Sequence, residues 1–377
     1  MALPTSNQLS DRQARVRRRL DTSSLEAFVV TNPANIRYLS NHVGSSGILV
    51  LTRADAQLLV DARYSEAVRM LQQTASACPG LVVRHVPDSD EDVLLQCLAD
   101  IGATRVGFEA AHVSVASHDT WQKTADRLGV SIGFVPTQRM VEEVRIVKDA
   151  YEIATLRNAA ARLTPVAASA FDAVATGGSE REVAAALEAA LRRAGYERPA
   201  FDTIVASGPN SALPHHRAGD RILASGDLVV LDFGGVLDGY CSDLTRTVSI
   251  GPPSPDARRL FTAVYEAQQA AIESIRPGVE SVTVDAVARG ILQERGLGEA
   301  FGHGTGHGLG LDIHEEPRIS RPRADIPSVR LEPGMVVTIE PGAYLPGFGG
   351  VRIEDDVLVT ETGHEVLTAV PRDFRSL

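Results

Sequence analysis

Residues 227–250, DLVVLDFGGVLDGYCSDLTRTVSI, decide the fold. Two β-branched apolar runs flank a turn marked by Gly234, Gly235 and Gly239, a pattern that reads as two strands returning on each other. Each run carries an aspartate: Asp232 follows Leu228–Leu231, and the return strand YCSDLTRTVSI (240–250) presents Asp243, so the pairing should bring the two carboxylates to one region of a sheet. Working outward, MVVTIEPG (335–342) ends an apolar strand on Glu340, and GGVRIEDDVLV (349–359) embeds Glu354 in another. A carboxylate taken from water costs several kcal/mol unless it is paired or bound to a cation, and four together would mostly protonate. Arg246 and Arg352, close in sequence, could neutralise them. The segment FGHGTGHGLGLDIHEEP (301–317) offers a second solution, with His303, His307 and His314 set among glycines that let backbone approach a centre closely. Carboxylates with imidazole suit Mn, Co or Zn, and two such ions balance four carboxylates.

The rest of the chain sets the frame. At 377 residues, with 44% apolar and 23% charged residues, it is long enough for a small domain followed by a larger one. A formal charge of -11 argues against a nucleic-acid partner. Cys78, Cys97 and Cys241 are scattered and lack a CxxC pair, which fits a reduced, cytoplasmic setting; no apolar run approaches the length of a membrane span. The basic cluster Arg15, Arg17, Arg18, Arg19 reads as a solvated helix face. Candidate strands Ala27–Thr31, Gly47–Thr52, Gln57–Asp61, Leu81–Val86, Arg105–Glu109 and Ser131–Val135, with amphipathic segments Glu91–Ile101 and Ser117–Leu128 between them, predict a mixed sheet covered by helices. No phosphate-binding glycine motif occurs there. A boundary is expected near Pro136–Lys148. Beyond it, helical pairs over 148–175 and 179–194, and over 255–275 and 281–295, each precede strand-rich sequence. Gly177 and Gly195 are echoed by Gly278 and Gly296, which hints at two related halves.

With these motifs assembled, the sequence resembles the proline-specific branch of the pita-bread metallopeptidases, which contains prolidase and aminopeptidase P. TNPANIRYLS (31–40) looks like that branch's N-terminal-domain motif and VRIVKDAYEIATLRNA (144–159) like its interdomain helix. ASGPNSALPHH, DLVVLDFGG, GYCSDLTRT, GHGTGHGLGLDIHEEPRIS, VVTIEPG and GGVRIEDD supply the catalytic half. The resemblance implies an α+β chain: an N-terminal mixed α/β creatinase-type domain over 1–138, a linker and the start of the interdomain helix over 139–150, and a C-terminal pita-bread domain over 151–377 with pseudo-twofold related halves. It implies two divalent metal ions, Mn first and Co or Zn as alternatives, on Asp232, Asp243, His307, Glu340 and Glu354. Glu340 would double as general base, and His303 and His314 would position substrate and stabilise the tetrahedral intermediate. His215 would line the substrate pocket, while His216 is expected in an exposed loop.

Arg318, in EEPRIS, resembles an arginine that prolidases aim at a dipeptide's carboxylate, for which a bidentate guanidinium is suited, although a structural ion pair is an equal reading. Small proline-containing peptides are the expected partners, and a homodimer the expected assembly. Xaa-Pro dipeptidase activity is the leading expectation and Xaa-Pro aminopeptidase activity the alternative. A metal-free creatinase-like amidinohydrolase is disfavoured by the intact ligand set. A methionine aminopeptidase is disfavoured by the large N-terminal domain, and a non-catalytic pita-bread peptide-binding module by both the ligands and the absence of long acidic tails.

Overall fold

The computed structural model describes residues 3–175, 178–322 and 328–377. The chain divides into two compact units, Met1–Arg145 and Ile146–Leu377.

The first unit opens with α1 (Ser6–Thr22), started by a capping box in which the Thr5 side chain and Gln8 exchange bonds with each other's backbone. A six-stranded sheet follows: β1 (Ala27–Val30), β2 (Ile48–Thr52), β3 (Ala56–Val60), β4 (Leu81–His85), β5 (Arg105–Glu109) and β6 (Gly133–Thr137), in the order β4-β3-β2-β1-β5-β6. β1/β2 and β2/β3 pair antiparallel, while β3/β4, β1/β5 and β5/β6 pair parallel, so the sheet is mixed as its sequence suggests. Helices α2 (Pro33–Ser40), α3 (Ala62–Leu71), α4 (Asp90–Asp100), α5 (Val115–Leu128) and the short α6 (Glu142–Arg145) complete it. The sequence reading did not anticipate α2 or α3, whose starts are set by side-chain caps from Asn32 and Asp61. TNPANIRYLS is a structural knot: Glu109 accepts bonds from the backbone of Thr31 and Asn32 and from the Asn35 amide at 2.6–2.7 Å. Arg17 departs from the solvated reading of its cluster, because its guanidinium donates to the carbonyls of Thr52 and Asp55.

The second unit repeats one plan. Helices α7 (Ala150–Ala175) and α8 (Glu180–Arg193) pack together, followed by β7 (Arg198–Pro199), β8 (Ile204–Ser207), β9 (Leu228–Phe233), β10 (Gly235–Leu237), β11 (Tyr240–Cys241) and β12 (Leu244–Ser249). Helices α9 (Pro255–Ser274) and α10 (Ser281–Glu294) likewise pack together, followed by β13 (Gly306–Gly308), β14 (Glu315–Ile319), β15 (Val336–Ile339), β16 (Gly342–Leu345), β17 (Gly349–Arg352), β18 (Asp355–Val359) and β19 (His364–Val366). Each helix pair builds its own core: Leu163, Val183 and Leu187 against Leu231, Phe233 and Leu244 in one, and Val264, Val284 and Leu292 against Val337, Val351 and Val357 in the other. Gly195 and Gly296 end the second helix of each pair with φ of 92° and 74°, a left-handed turn that glycine adopts without penalty. Of the other pair in that repeat, Gly278 also has a positive φ, 86°, and Gly177 lies outside the described residues.

β8, β9 and β12 form one sheet in the order β12-β9-β8, and β14-β13-β15-β18-β19 form another. β16 and β17 form a separate two-stranded sheet, and the halves meet where β12 runs beside β17 and the break that follows it. Thr247 accepts from the Arg352 backbone N–H and donates to the Arg352 carbonyl, and the Glu354 N–H donates to the Thr245 carbonyl at 3.1 Å. This seam between the halves positions everything that follows. Among the described residues, no helix is long and apolar enough to cross a membrane.

Candidate metal centre

Asp232 and Asp243 arrive at the seam from the first half. In the β9/β12 register Asp232 faces Thr245, and Leu244, next to Asp243, faces Phe233; the small β10/β11 hairpin occupies the intervening chain. His307, Glu340 and Glu354 arrive from the second half. Glu340 follows the last residue of β15, its N–H held by the Thr305 carbonyl at 2.7 Å. Glu354 is not embedded in a strand as the sequence suggested: it sits in the two-residue interruption between β17 and β18, where its N–H bonds across the seam instead of within its own sheet. Its Oε2 accepts from the Thr245 hydroxyl at 2.6 Å.

His307 lies in β13 between Gly306 and Gly308. A Cβ at Gly306 would stand 1.9 Å from the Thr338 carbonyl oxygen, and one at Gly308 would stand 2.2 Å from the Glu316 carbonyl oxygen. These glycines therefore serve the close approach of neighbouring backbone, and not approach to the centre itself. The His307 Nδ1 lies 2.9 Å from the Gly308 carbonyl oxygen, which can only accept, so Nδ1 carries the proton and Nε2 presents its lone pair. That Nε2 stands 3.4 Å from Glu340 Oε1 and 3.9 Å from Asp243 Oδ2. Asp243, His307 and Glu354, all buried, offer ligand atoms within 4.8 Å of one another.

The electrostatics show what this arrangement requires. Burial, then the neighbouring Asp232, Asp356 and Glu340 charges, push the Asp243 carboxyl well above its ordinary range; burial and Asp243 do the same to Glu354. Burial lifts Glu340 to about 8 and depresses the His307 ring to about 3. The Oδ1 atoms of Asp232 and Asp243 are buried without a hydrogen-bond partner among the described residues. A bound cation would satisfy those orphaned oxygens, relieve the carboxylate repulsion and use the uncommitted His307 Nε2 lone pair, so the residues present fit a divalent metal.

The two arginines divide as follows. Arg352 donates to Asp232 Oδ2 at 2.5 Å, taking up one of the four charges, whereas Arg246 turns away to Asp355 and to backbone carbonyls, among them that of Glu354. Arg352 also donates to the Tyr344 hydroxyl at 2.8 Å, and that hydroxyl stands 3.0 Å from His303 Nε2. The His303 Nδ1 faces the Gly304 carbonyl at 2.8 Å, so Tyr344 must donate to the bare Nε2. Both His303 nitrogens are thus engaged, and burial lowers its pKa to about 4. The His314 ring packs edge-on to His307 at 4.4 Å and makes no hydrogen bond among the described residues.

One cavity of about 1140 Å³ gathers these groups, and His215 and Arg318 also line it. The Arg318 guanidinium has no hydrogen bond or ion pair among the described residues. His216 does not sit in a free exposed loop: its Nε2 stands 2.7 Å from the fully buried carboxylate of Glu180. Sequence reasoning missed Tyr344, Thr245 and Glu180. Thr245 was detectable as the polar residue directly opposite Asp232, but nothing local marks Glu180, whose partners lie 27–39 residues away.

Two packed α-hairpins, each laid on strands, with a carboxylate–histidine cluster at their seam, define a metal-dependent hydrolase of the pita-bread type. Residues 154–361 match the model of metallopeptidase family M24 and residues 12–147 that of the creatinase/prolidase N-terminal domain; the chain belongs to family M24. The Xaa-Pro dipeptidase of Pyrococcus horikoshii is 34% identical over 94% of this chain and 96% of its own. Among solved structures, the Xaa-Pro dipeptidase from Bacillus anthracis superposes with a TM-score of 0.89 at 36% identity, covering 98% of this chain and 100% of its own. The X-Pro aminopeptidase from Thermotoga maritima superposes with a TM-score of 0.82 at 34% identity, covering 97% and 99%.

Proposed function

We propose that the chain is an Xaa-Pro dipeptidase that binds two divalent ions, Mn first and Co or Zn as alternatives, through Asp232, Asp243, His307, Glu340 and Glu354. With Arg352 engaged by Asp232, three carboxylate charges remain, more than one divalent ion offsets. When bound, such ions acidify a water and polarise the scissile carbonyl. The chain's own residues do the rest. Glu340, whose Oε1 stands 3.4 Å from His307 Nε2, takes a proton from the attacking water and returns it to the leaving nitrogen. His314, with both ring nitrogens directed to no protein partner among the described residues, faces the developing charge, and His303, held by Tyr344, braces that wall. His215, which lines the same cavity near His303 and His314, contacts the substrate there. Proline fixes its ring and lacks an N–H, so the cavity reads shape and termini instead of an extended backbone.

The observation that carries the dipeptidase reading is Arg318. A guanidinium left without a partner among the described residues, in a cavity lined by carboxylates, is available to a substrate's carboxylate. The aminopeptidase reading is favoured by the likeness to the Thermotoga structure. Hydrolysis of a matched Xaa-Pro dipeptide and Xaa-Pro-Yaa tripeptide, after chelation and Mn restoration, decides between them. Metal-dependent dipeptide cleavage supports the first; cleavage of the tripeptide alone transfers the assignment to the second. Arg318→Ala should lower dipeptide kcat/KM roughly ten- to hundred-fold, the equivalent of about 1.5–3 kcal/mol for a charged hydrogen bond. The three free, buried cysteines support a reducing, cytoplasmic setting. A homodimer is the assembly we assign by resemblance, to be checked by light scattering.

A further inference from the structure

Glu180, the first residue of α8, has a carboxylate with no exposed surface, yet it is one of the most heavily bonded groups in the molecule. Its Oε1 accepts from the Ser207 N–H at 2.8 Å, the Ser207 hydroxyl at 2.7 Å and the Asn210 amide at 3.0 Å. Its Oε2 accepts from His216 Nε2 at 2.7 Å and the Gly219 N–H at 3.2 Å. An ionised carboxylate only accepts, so His216 Nε2 must carry a proton and is committed to this contact. It is not free for chemistry, although the ring also lines the cavity.

The contact matters because of its neighbour. The Pro214 carbonyl accepts from Arg352, the same guanidinium that grips Asp232. The loop is therefore pinned on both sides of His215: at Pro214 to the metal centre through Arg352, and at His216 to the root of α8 through Glu180. His215, exposed between the two pins, makes no hydrogen bond among the described residues. We propose that Glu180 and His216 form a latch that sets the 214–217 loop, so that His215 meets the substrate at a fixed distance from the metal centre. The proposal rests on the Xaa-Pro reading for the identity of that substrate. Glu180 and His216 are positioning residues that act through the loop they hold.

The test compares His216→Ala with His216→Gln, whose amide nitrogen retains a donor for Glu180. Glu180 keeps its four other donors in both, so the fold is preserved. Metal content, Tm, kcat and KM for an Xaa-Pro dipeptide, and the rate of tryptic cleavage after Arg217 are measured. The latch predicts that H216A raises KM at least five-fold with kcat within two-fold and metal content unchanged, that trypsin cuts after Arg217 several-fold faster, and that H216Q restores both. Wild-type KM and trypsin resistance in H216A overturn it, as does a H216Q protein no better than H216A. A fall in metal content and Tm that accompanies the KM change also overturns it, by making the pair merely structural. If the wild-type, metal-loaded protein leaves Xaa-Pro dipeptides intact, the functional reading falls, while the trypsin comparison still judges the latch.

Discussion

A single imidazole shows how finely the centre is set. His307 is held neutral with its Nε2 bare, so removing that lone pair should unload metal without disturbing the apolar cores. His307→Ala and Asp243→Asn are each expected to lower kcat by at least about a hundredfold, with metal stoichiometry by mass spectrometry falling in parallel. Full metal occupancy in either variant would remove that residue from the ligand set. The sequence made the carboxylates conspicuous because an acidic residue inside an apolar strand contradicts its surroundings. The same logic failed for His216 and Glu180: an acid at a helix start and a histidine in a loop are each unremarkable alone, and their meaning exists only through a contact 36 residues apart.

At the scale of elements, the seam is built from hydroxyls. The Thr247 hydroxyl bonds both the N–H and the carbonyl of the buried Arg352, so Thr247→Val, which keeps the shape and deletes those bonds, should cost about 1–3 kcal/mol in urea unfolding. Gly306→Ala drives a methyl into the Thr338 carbonyl and should cost at least about 1–3 kcal/mol, with a loss of metal affinity because His307 moves with its strand. A wild-type midpoint for either variant would mean that the strands yield at no cost. Strands and long helices were legible because their apolar periods are regular. Helices α2 and α3 were not, since each is short and owes its start to a side-chain cap more than to an apolar stripe. The break that frees Glu354 was equally hidden, because IEDDVLV reads as continuous strand until the partner on each side of the break is known.

For the whole molecule, the centre ties stability to pH and to metal. In the metal-free protein, Glu340 moves from an ordinary 4.5 to about 8 on burial, so the folded chain holds a proton that the unfolded chain releases. Its contribution is fully present below about pH 4.5 and is lost as pH rises toward 8; Asp243 and Glu354, raised by the same burial, act in the same sense. The depressed pKa of His307 gives the opposite slope, but only below its ordinary 6.5. Between pH 6.5 and 8 the metal-free Tm should therefore fall, while metal at a hundred times its Kd adds about 2.7 kcal/mol, so the gap between the two forms widens. A metal-free Tm that climbs across this window would contradict the buried carboxylate cluster. The paired-halves plan was readable from helix spacing and a few glycines. Which edges join was not, because strand pairing across long separations leaves no local trace.

The seam carries one more consequence. Two of the five proposed ligands come from one half of the second unit and three from the other, so no partly folded chain presents the full set. Metal binding and peptide hydrolysis are then expected only after both halves have folded together. Such an order would act as a built-in safeguard, since the hydrolytic centre would form only together with the cavity walls around it.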